Sequence, residues 1–245
     1  MIGRFLAGFI FLISAICILP AGEPSLVEIL SECGKQLQLS RKDLKNYVCR
    51  EEITYRVKTR QNSRPLIERG KFEFRVLSDQ EERLALDPAS EKIKPLFSTF
   101  GGFLSAIYGI LGPENQRKHS FVLKSKTTAS PSTVVIETEV PPQRSETLLQ
   151  ISNSLTASLG YRAEIVLERE TLRIMRMEKI ALHSVEKVSY LRHLVDYDLV
   201  PIGEAKYNLP VKQEIELVRD GDRYLTTYRY SVFKRFQTEA TVKFK

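Results

Sequence analysis

From Val211 to Phe233, apolar and polar residues alternate with a period of two on both sides of Asp220-Gly221. Val211, Gln213, Ile215 and Leu217 share one face before the dipeptide. Tyr224, Thr226, Tyr228, Tyr230 and Val232 share it afterwards. Asp-Gly between two such runs predicts a type I′ hairpin, whose central residues both need positive φ. With Asp220-Gly221 as the loop, Arg219 faces Asp222, Leu217 faces Tyr224, Ile215 faces Thr226, Gln213 faces Tyr228 and Val211 faces Tyr230. A slip of one residue would expose the apolar set, so burial selects this register. Lys212 then opposes Arg229, a like-charge pair that Glu214 can relieve.

The same alternation runs through most of the chain. It predicts a first strand over 47–58, with Tyr47, Cys49, Ile53, Tyr55 and Val57 on the dry face and Glu51 the one carboxylate among them. Glu51 pairs with an arginine of a neighbouring strand or sits at the sheet rim. Phe72, Phe74 and Val76 mark a second strand, and Leu84 with Leu86 a short third. Further strands are predicted at 121–123, 134–140, 162–168, 172–180, 191–197 and 238–244, with 145–158 polar and ambiguous between strand and loop. One helix is clear. Ser25 and Glu28 form a capping box, and Leu26, Ile29, Leu30, Cys33 and Leu37 follow at helical spacing until about Ser40 to Leu44.

Residues 95–113 carry no charge and fit neither period throughout. Phe103, Ile107 and Ile110 make one helical face, which Gly101, Gly102, Gly109 and Gly112 weaken. The segment is either a plug on the dry face or a surface that meets lipid or a partner. About ten strands with one wet and one dry face predict a mainly β (α+β) fold. It is a large curved antiparallel sheet or half-open barrel, with the N-terminal helix and one or more further helices covering the concave side.

Arg4 followed by the apolar stretch Phe5–Leu19 and then Pro20-Ala21-Gly22 has the shape of a secretory signal. The expected organisation is a signal peptide over 1–22, or an uncleaved anchor, and a single domain over 23–245. Export to the periplasm or cell envelope follows. Export permits a disulfide between Cys33 and Cys49, and two buried free thiols are the alternative. The formal charge is +7, but Lys and Arg are interleaved with Glu, so a solvated sheet face is expected and a nucleic-acid partner is not. Peripheral contact with a membrane surface is compatible with that charge. Oligomeric state is not legible.

Catalytic signatures are missing from the sequence: there is no Gly-x-Ser-x-Gly, His-Glu-x-x-His, phosphate-cradling glycine loop or zinc spacing. His119, His183 and His193 fall on different predicted elements, and Asp196 and Asp198 bracket Tyr197 as alternate members of a solvated face. No catalytic residue, metal or cofactor is assigned, and the protein is not read as an enzyme. What remains is shape. A dry face of Tyr and Phe under an apolar cover can part to admit an acyl chain. The candidate ligand-binding residues are Phe72, Phe74, Phe100, Phe103, Ile107, Tyr224, Tyr228 and Tyr230.

Two stretches, Tyr47-Val-Cys-Arg-Glu-Glu52 and Val195-Asp-Tyr-Asp-Leu-Val-Pro-Ile-Gly203 with Tyr207-Asn-Leu-Pro210, resemble a group of uncharacterised exported bacterial proteins. That group is similar to the LolA/LolB/RseB superfamily of lipoprotein carriers and lipid sensors. The resemblance implies an open antiparallel half-barrel whose concave face holds helices and can take lipid. It carries over no functional residue. The expected function is non-catalytic binding of a lipid or acyl chain in the envelope. The alternatives are a module that binds an envelope protein through 95–113 or an edge strand, and a hydrolase with an unrecognised site.

Overall fold

The computed structural model describes residues 24–62, 64–77, 80–93, 97–100, 105–124, 132–145, 148–151, 155–185 and 187–236. The predicted signal segment, Phe103 and the predicted strand at 238–244 lie outside them.

Helix α1 (Leu26–Asp43) begins as its sequence dictates. The Ser25 hydroxyl accepts from the Glu28 amide at 3.3 Å, and the Glu28 carboxylate accepts from the Ser25 amide at 2.7 Å. The strands that follow are β1 (Asn46–Lys58), β2 (Leu66–Leu77), β3 (Gln80–Ala85) and β4 (Phe97–Phe100). Two short helices, α2 (Ser105–Leu111) and α3 (Pro113–Gln116), come next. They lead into β5 (Ser120–Leu123), β6 (Thr133–Val140), β7 (Leu148–Ile151), β8 (Leu155–Ser158) and β9 (Tyr161–Glu168). The chain continues with β10 (Ile174–Ala181), β11 (Val188–Ile202), β12 (Ala205–Arg219) and β13 (Asp222–Arg235).

Ten strands form one antiparallel sheet in the order β3-β2-β1-β13-β12-β11-β10-β9-β6-β5. It is not closed: β3 and β5 are its edges. The ambiguous 145–158 stretch folds as β7 and β8, which join β4 in a separate three-stranded sheet. Leu172 does not open a strand as the sequence suggests, because it sits at φ 54° in the β9–β10 turn.

The β12–β13 hairpin has the predicted register, including Arg219 opposite Asp222, Leu217 opposite Tyr224, Ile215 opposite Thr226 and Gln213 opposite Tyr228. Asp220 and Gly221 both have positive φ, 51° and 80°, as a type I′ turn needs. Lys212 does face Arg229, and its ammonium turns to Glu214 on its own strand at 2.8 Å.

Within 95–113, α2 forms despite Gly109 because Ala106, Ile107, Ile110 and Leu111 are all buried. Tertiary burial outweighs the roughly 1 kcal/mol that a mid-helix glycine costs. The helical part of this segment is therefore a plug. Two apolar clusters make up the core. One joins β1, β2, β12 and β13 around Tyr47, Phe74, Leu217 and Tyr230. The other joins α1 and α2 to β6, β9, β10 and β11 around Ile29, Ile110, Ile165 and Met177.

Cys33 belongs to the second cluster and Cys49 to the first. Both thiols are free and buried, so the bridge that export would permit is not made. Burial pushes the Cys33 thiol up to about 12 and raises Cys49 as well. Neither is a thiolate near neutral pH, and neither fits a nucleophile.

Candidate functional site: a cavity under the first helix

A cavity of about 750 Å³ lies between the C-terminal half of α1 and one end of the sheet. Its walls are the 36–44 turns of α1, Ile107 and Tyr108 of α2, the β9–β10 turn, and the facing ends of β11 and β12. The volume is within the range of small-molecule sites. Leu37, Leu44, Ile107, Ile174 and Leu209 supply much of the apolar wall.

Hydrogen bonds tie the helix to the walls of this space. The Gln36 amide donates to the Thr171 carbonyl at 2.9 Å, and the Cys33 thiol to the Leu172 carbonyl at 3.6 Å. Across the rim, Gln116 donates to the Leu30 and Leu111 carbonyls at 2.7 and 2.8 Å, tying α3 to both longer helices. Arg173 stiffens the sheet side by pairing with Glu168 at 3.4 Å and Asp198 at 3.5 Å. Charges on the walls balance: Arg41, Arg173 and Lys206 against Asp43, Glu81 and Glu168. A cavity with three charges of each sign exerts no strong pull on either.

Two polar side chains on the wall keep an atom without a hydrogen-bond partner among the described residues. Tyr197 is 6% exposed and its hydroxyl is unpaired. Burial holds that phenol above its ordinary range, so it stays protonated and able to donate. Asn208 donates through Nδ2 to the Ile174 carbonyl at 2.9 Å, which fixes the amide, and its Oδ1 is buried and unpaired. A register shift between Asp196 and Tyr197 sets Tyr197 opposite Pro210 and Leu199 opposite Asn208. Tyr197 and Asn208 are thus diagonal neighbours, roughly 7–8 Å apart.

Elsewhere on the dry face, several polar groups pair with one another, while the Thr226 and Thr138 hydroxyls are buried without a partner among the described residues. Glu51 is fully buried, and Arg83 grips both its oxygens at 2.7 and 3.1 Å while stacking over Phe74 at 4.8 Å. This is the arginine partner expected for Glu51, reaching from β3 across β2. The Gln213 amide donates to the Tyr230 hydroxyl at 3.1 Å, and its oxygen lies 3.1 Å from His193 Nε2. Lys179 faces His193 in the β10–β11 register, with its ammonium 4.8 Å from the centre of the Tyr161 ring. Desolvation lowers Lys179 to about 8 and, with Lys179 beside it, His193 to about 4.

Of the residues singled out from sequence, Ile107 lines the cavity. Phe72, Phe74, Tyr228 and Tyr230 are brought together in the first cluster, with Tyr224 packed against it. They are not on the cavity wall. The Phe100 side chain and Phe103 lie outside the described residues. Tyr197 and Asn208 stand in the stretches that carry the family resemblance, yet their alternation looks like any other strand, and nothing local marks their unpaired atoms.

Among the described residues, the histidines and the Asp196–Asp198 pair singled out from sequence are not brought together. His119 lies 3.0 Å from the Gly109 carbonyl, His193 belongs to the Gln213 pair, and His183 is exposed. Asp196 and Asp198 are taken by Arg176 and Arg173. Among the described residues no three His, Cys, Asp or Glu are placed to hold a metal. No helix among them is long and apolar enough to cross a membrane.

Neither a family model nor a curated protein matches the chain. Among solved structures, it is similar to a DUF1329 family protein from Desulfovibrio piger, with 8% identity and a TM-score of 0.40, over 90% of this chain and 96% of that one. It is also similar to a domain from Vibrio parahaemolyticus described as an outer membrane lipoprotein-sorting protein. There the identity is 14% and the TM-score 0.34, over 86% of this chain and 95% of that one. Both TM-scores are too low for either likeness to decide function.

Proposed function

We propose that this chain is a non-catalytic binder of an apolar, acyl-type ligand, which it takes into the cavity beneath α1. The reading includes export to the cell envelope, with 1–22 as the signal segment and 23–245 as a single domain. The observation that carries it is the cavity itself: about 750 Å³, with largely apolar walls, roofed by α1. Each methylene withdrawn from water contributes about 0.8 kcal/mol. A dodecyl chain therefore gains roughly 10 kcal/mol before the cost of association, which leaves useful affinity without any catalytic group.

Uptake of a fluorescent acyl probe by the full chain, with native mass spectrometry of the purified protein, tests this. Leu37 points into the cavity from α1, so Leu37→Trp fills part of the space and is expected to abolish uptake while leaving the circular dichroism unchanged. Val27→Trp, at a position 76% exposed on the same helix, is the control. No probe uptake by the wild-type chain and no co-purified lipid would overturn the proposal.

A further inference from the structure

We infer that the open end of the β1–β2 hairpin is a docking surface for an anionic lipid bilayer. Its arginines and lysine meet lipid phosphates, while Leu66 and Ile67 enter the headgroup boundary. The inference goes beyond the acyl cavity, on whose wall none of these residues lies.

Along the sequence Lys and Arg are interleaved with Glu, but strand pairing sorts them at this end of the sheet. Arg56 and Lys58 follow one another on the wet face of β1, about 6.6 Å apart, two strand rises. Arg56 faces Ile67 on β2 and has Arg69 as its diagonal neighbour, roughly 7–8 Å away, because Arg69 faces Thr54. Arg60 comes where the chain leaves β1. Its guanidinium lies so close to the β12–β13 turn that a Cβ on Gly221 would collide with it. All four cations are exposed, and none has a carboxylate within ion-pair distance among the described residues. The carboxylates of the adjoining hairpin are engaged. Glu216 pairs with Arg223 at 2.6 Å, Asp220 with Arg219 at 3.9 Å, and Asp222 accepts from the Arg60 backbone amide at 2.9 Å. Glu52 stands between Lys71 and Arg229, and Glu68 faces Tyr55 on the other side of the sheet.

Neighbouring like charges repel, and among the described residues no carboxylate offsets them here. An anionic surface does: it draws in each Lys or Arg, and guanidinium N–H groups donate to its phosphate oxygens in charge-assisted hydrogen bonds. The apolar residues decide what kind of anion fits. Leu66 is 58% exposed and Ile67 42%, side by side at the start of β2. Ile67 shares the face of the cations, and Leu66, opposite Val57, lies on the reverse, so the hairpin meets the bilayer end-on. A polyphosphate or a nucleic-acid backbone offers these side chains no apolar phase. A bilayer has acyl chains directly beneath its phosphates.

The chain has no tryptophan, so Leu66→Trp places a single fluorophore on this surface. Vesicles of equal parts phosphatidylglycerol and phosphatidylcholine are expected to shift its emission to the blue, and vesicles of phosphatidylcholine alone to leave it unshifted. Val122→Trp, at a position 61% exposed on the edge strand β5, is expected to shift with neither. Adding Arg56→Gln and Lys58→Gln to the Leu66→Trp chain is expected to weaken vesicle binding about 25-fold, near fivefold for each cation. Circular dichroism and uptake of a soluble acyl probe should not change, so failure here leaves the acyl reading standing. Polyphosphate is expected to bind more weakly and to shift nothing. No blue shift of Leu66→Trp on the mixed vesicles, an equal shift on phosphatidylcholine alone or at Val122→Trp, or full affinity after the two glutamine substitutions would overturn the inference. Polyphosphate binding as tightly as the vesicles would overturn it too, by assigning the surface to a soluble polyanion.

Discussion

The two halves of the dry face solve the same problem in opposite ways. Around β1, β2, β12 and β13, the sheet covers itself with its own aromatic side chains. The bulkiest polar groups there meet partners, Arg83 for Glu51 and Gln213 for both Tyr230 and His193, although the Thr226 hydroxyl is buried without one among the described residues. Under α1, a helix lies across strands whose register has shifted, and the fit is incomplete. A hollow remains, and Tyr197 and Asn208 on its wall each keep a buried polar atom without a partner among the described residues. Self-covering by side chains can be dense because each cross-strand neighbour is fixed by register. A rigid cylinder on a bulged surface cannot follow every contour. The packed half is where the molecule stores stability, and the roofed half is where it has room for a guest.

That contrast is broken or sharpened first by truncation. Phe74 is fully buried in the packed half, and Phe74→Ala should cost about 3–5 kcal/mol, since little around it can collapse. Leu37 is half-buried beside an existing hollow, so Leu37→Ala should cost only about 1 kcal/mol. Urea unfolding of the two variants measures both. Equal losses would mean that the two halves do not differ in packing.

The second test uses protons. His193 is held neutral in the packed half: its folded value is lowered to about 4, from an ordinary 6.5, by burial and by Lys179 across the strand pair. Between those values the unfolded chain binds a proton that the folded one refuses. Stability should therefore fall as pH drops from 6.5 to 4, by roughly 2–3 kcal/mol from this group. His193→Gln should lower stability at pH 7 but flatten that slope relative to the wild type. An unchanged slope in the variant would show that His193 is not sealed by the cluster.

How much of this was legible beforehand follows from which forces are local. Alternation and Asp-Gly specified the β12–β13 register residue by residue, and Ser25 with Glu28 specified where α1 starts. Glu51 on a dry face left two readings, an arginine partner or a place at the sheet rim, and only the fold shows Arg83 as the partner. The α2 helix was obscured because Gly109 argues against it locally while long-range burial of Ile107 and Ile110 decides for it. The cavity was not readable at all. It depends on the shift between Asp196 and Tyr197, and on where the far half of α1 comes to rest. Single-strand patterns contain neither.

The smallest effect is expected at a second irregularity, on the packed side. Val232 has φ 54°, where the register slips between Val48–Lys234 and Arg50–Ser231. The extra residue on β13 makes a bulge, which turns Phe233 to within 6.3 Å of the Tyr47 ring, centroid to centroid. Left-handed backbone costs an L residue about 1–2 kcal/mol, and a β-branched side chain suits it least. Glycine escapes that cost but loses about 0.5–1 kcal/mol in backbone entropy. Val232 is 56% exposed, so its side chain contributes little packing to set against the exchange. Val232→Gly should therefore stabilise the fold by about 0.5–1 kcal/mol and leave probe uptake unchanged, since the bulge is not on the cavity wall. Val232→Ala retains a Cβ in the same conformation and should recover less. If Val232→Gly instead destabilised the protein, the bulge would be held by contacts of the valine itself, and the packed half would rely on its edges more than on the Tyr47–Phe233 stack.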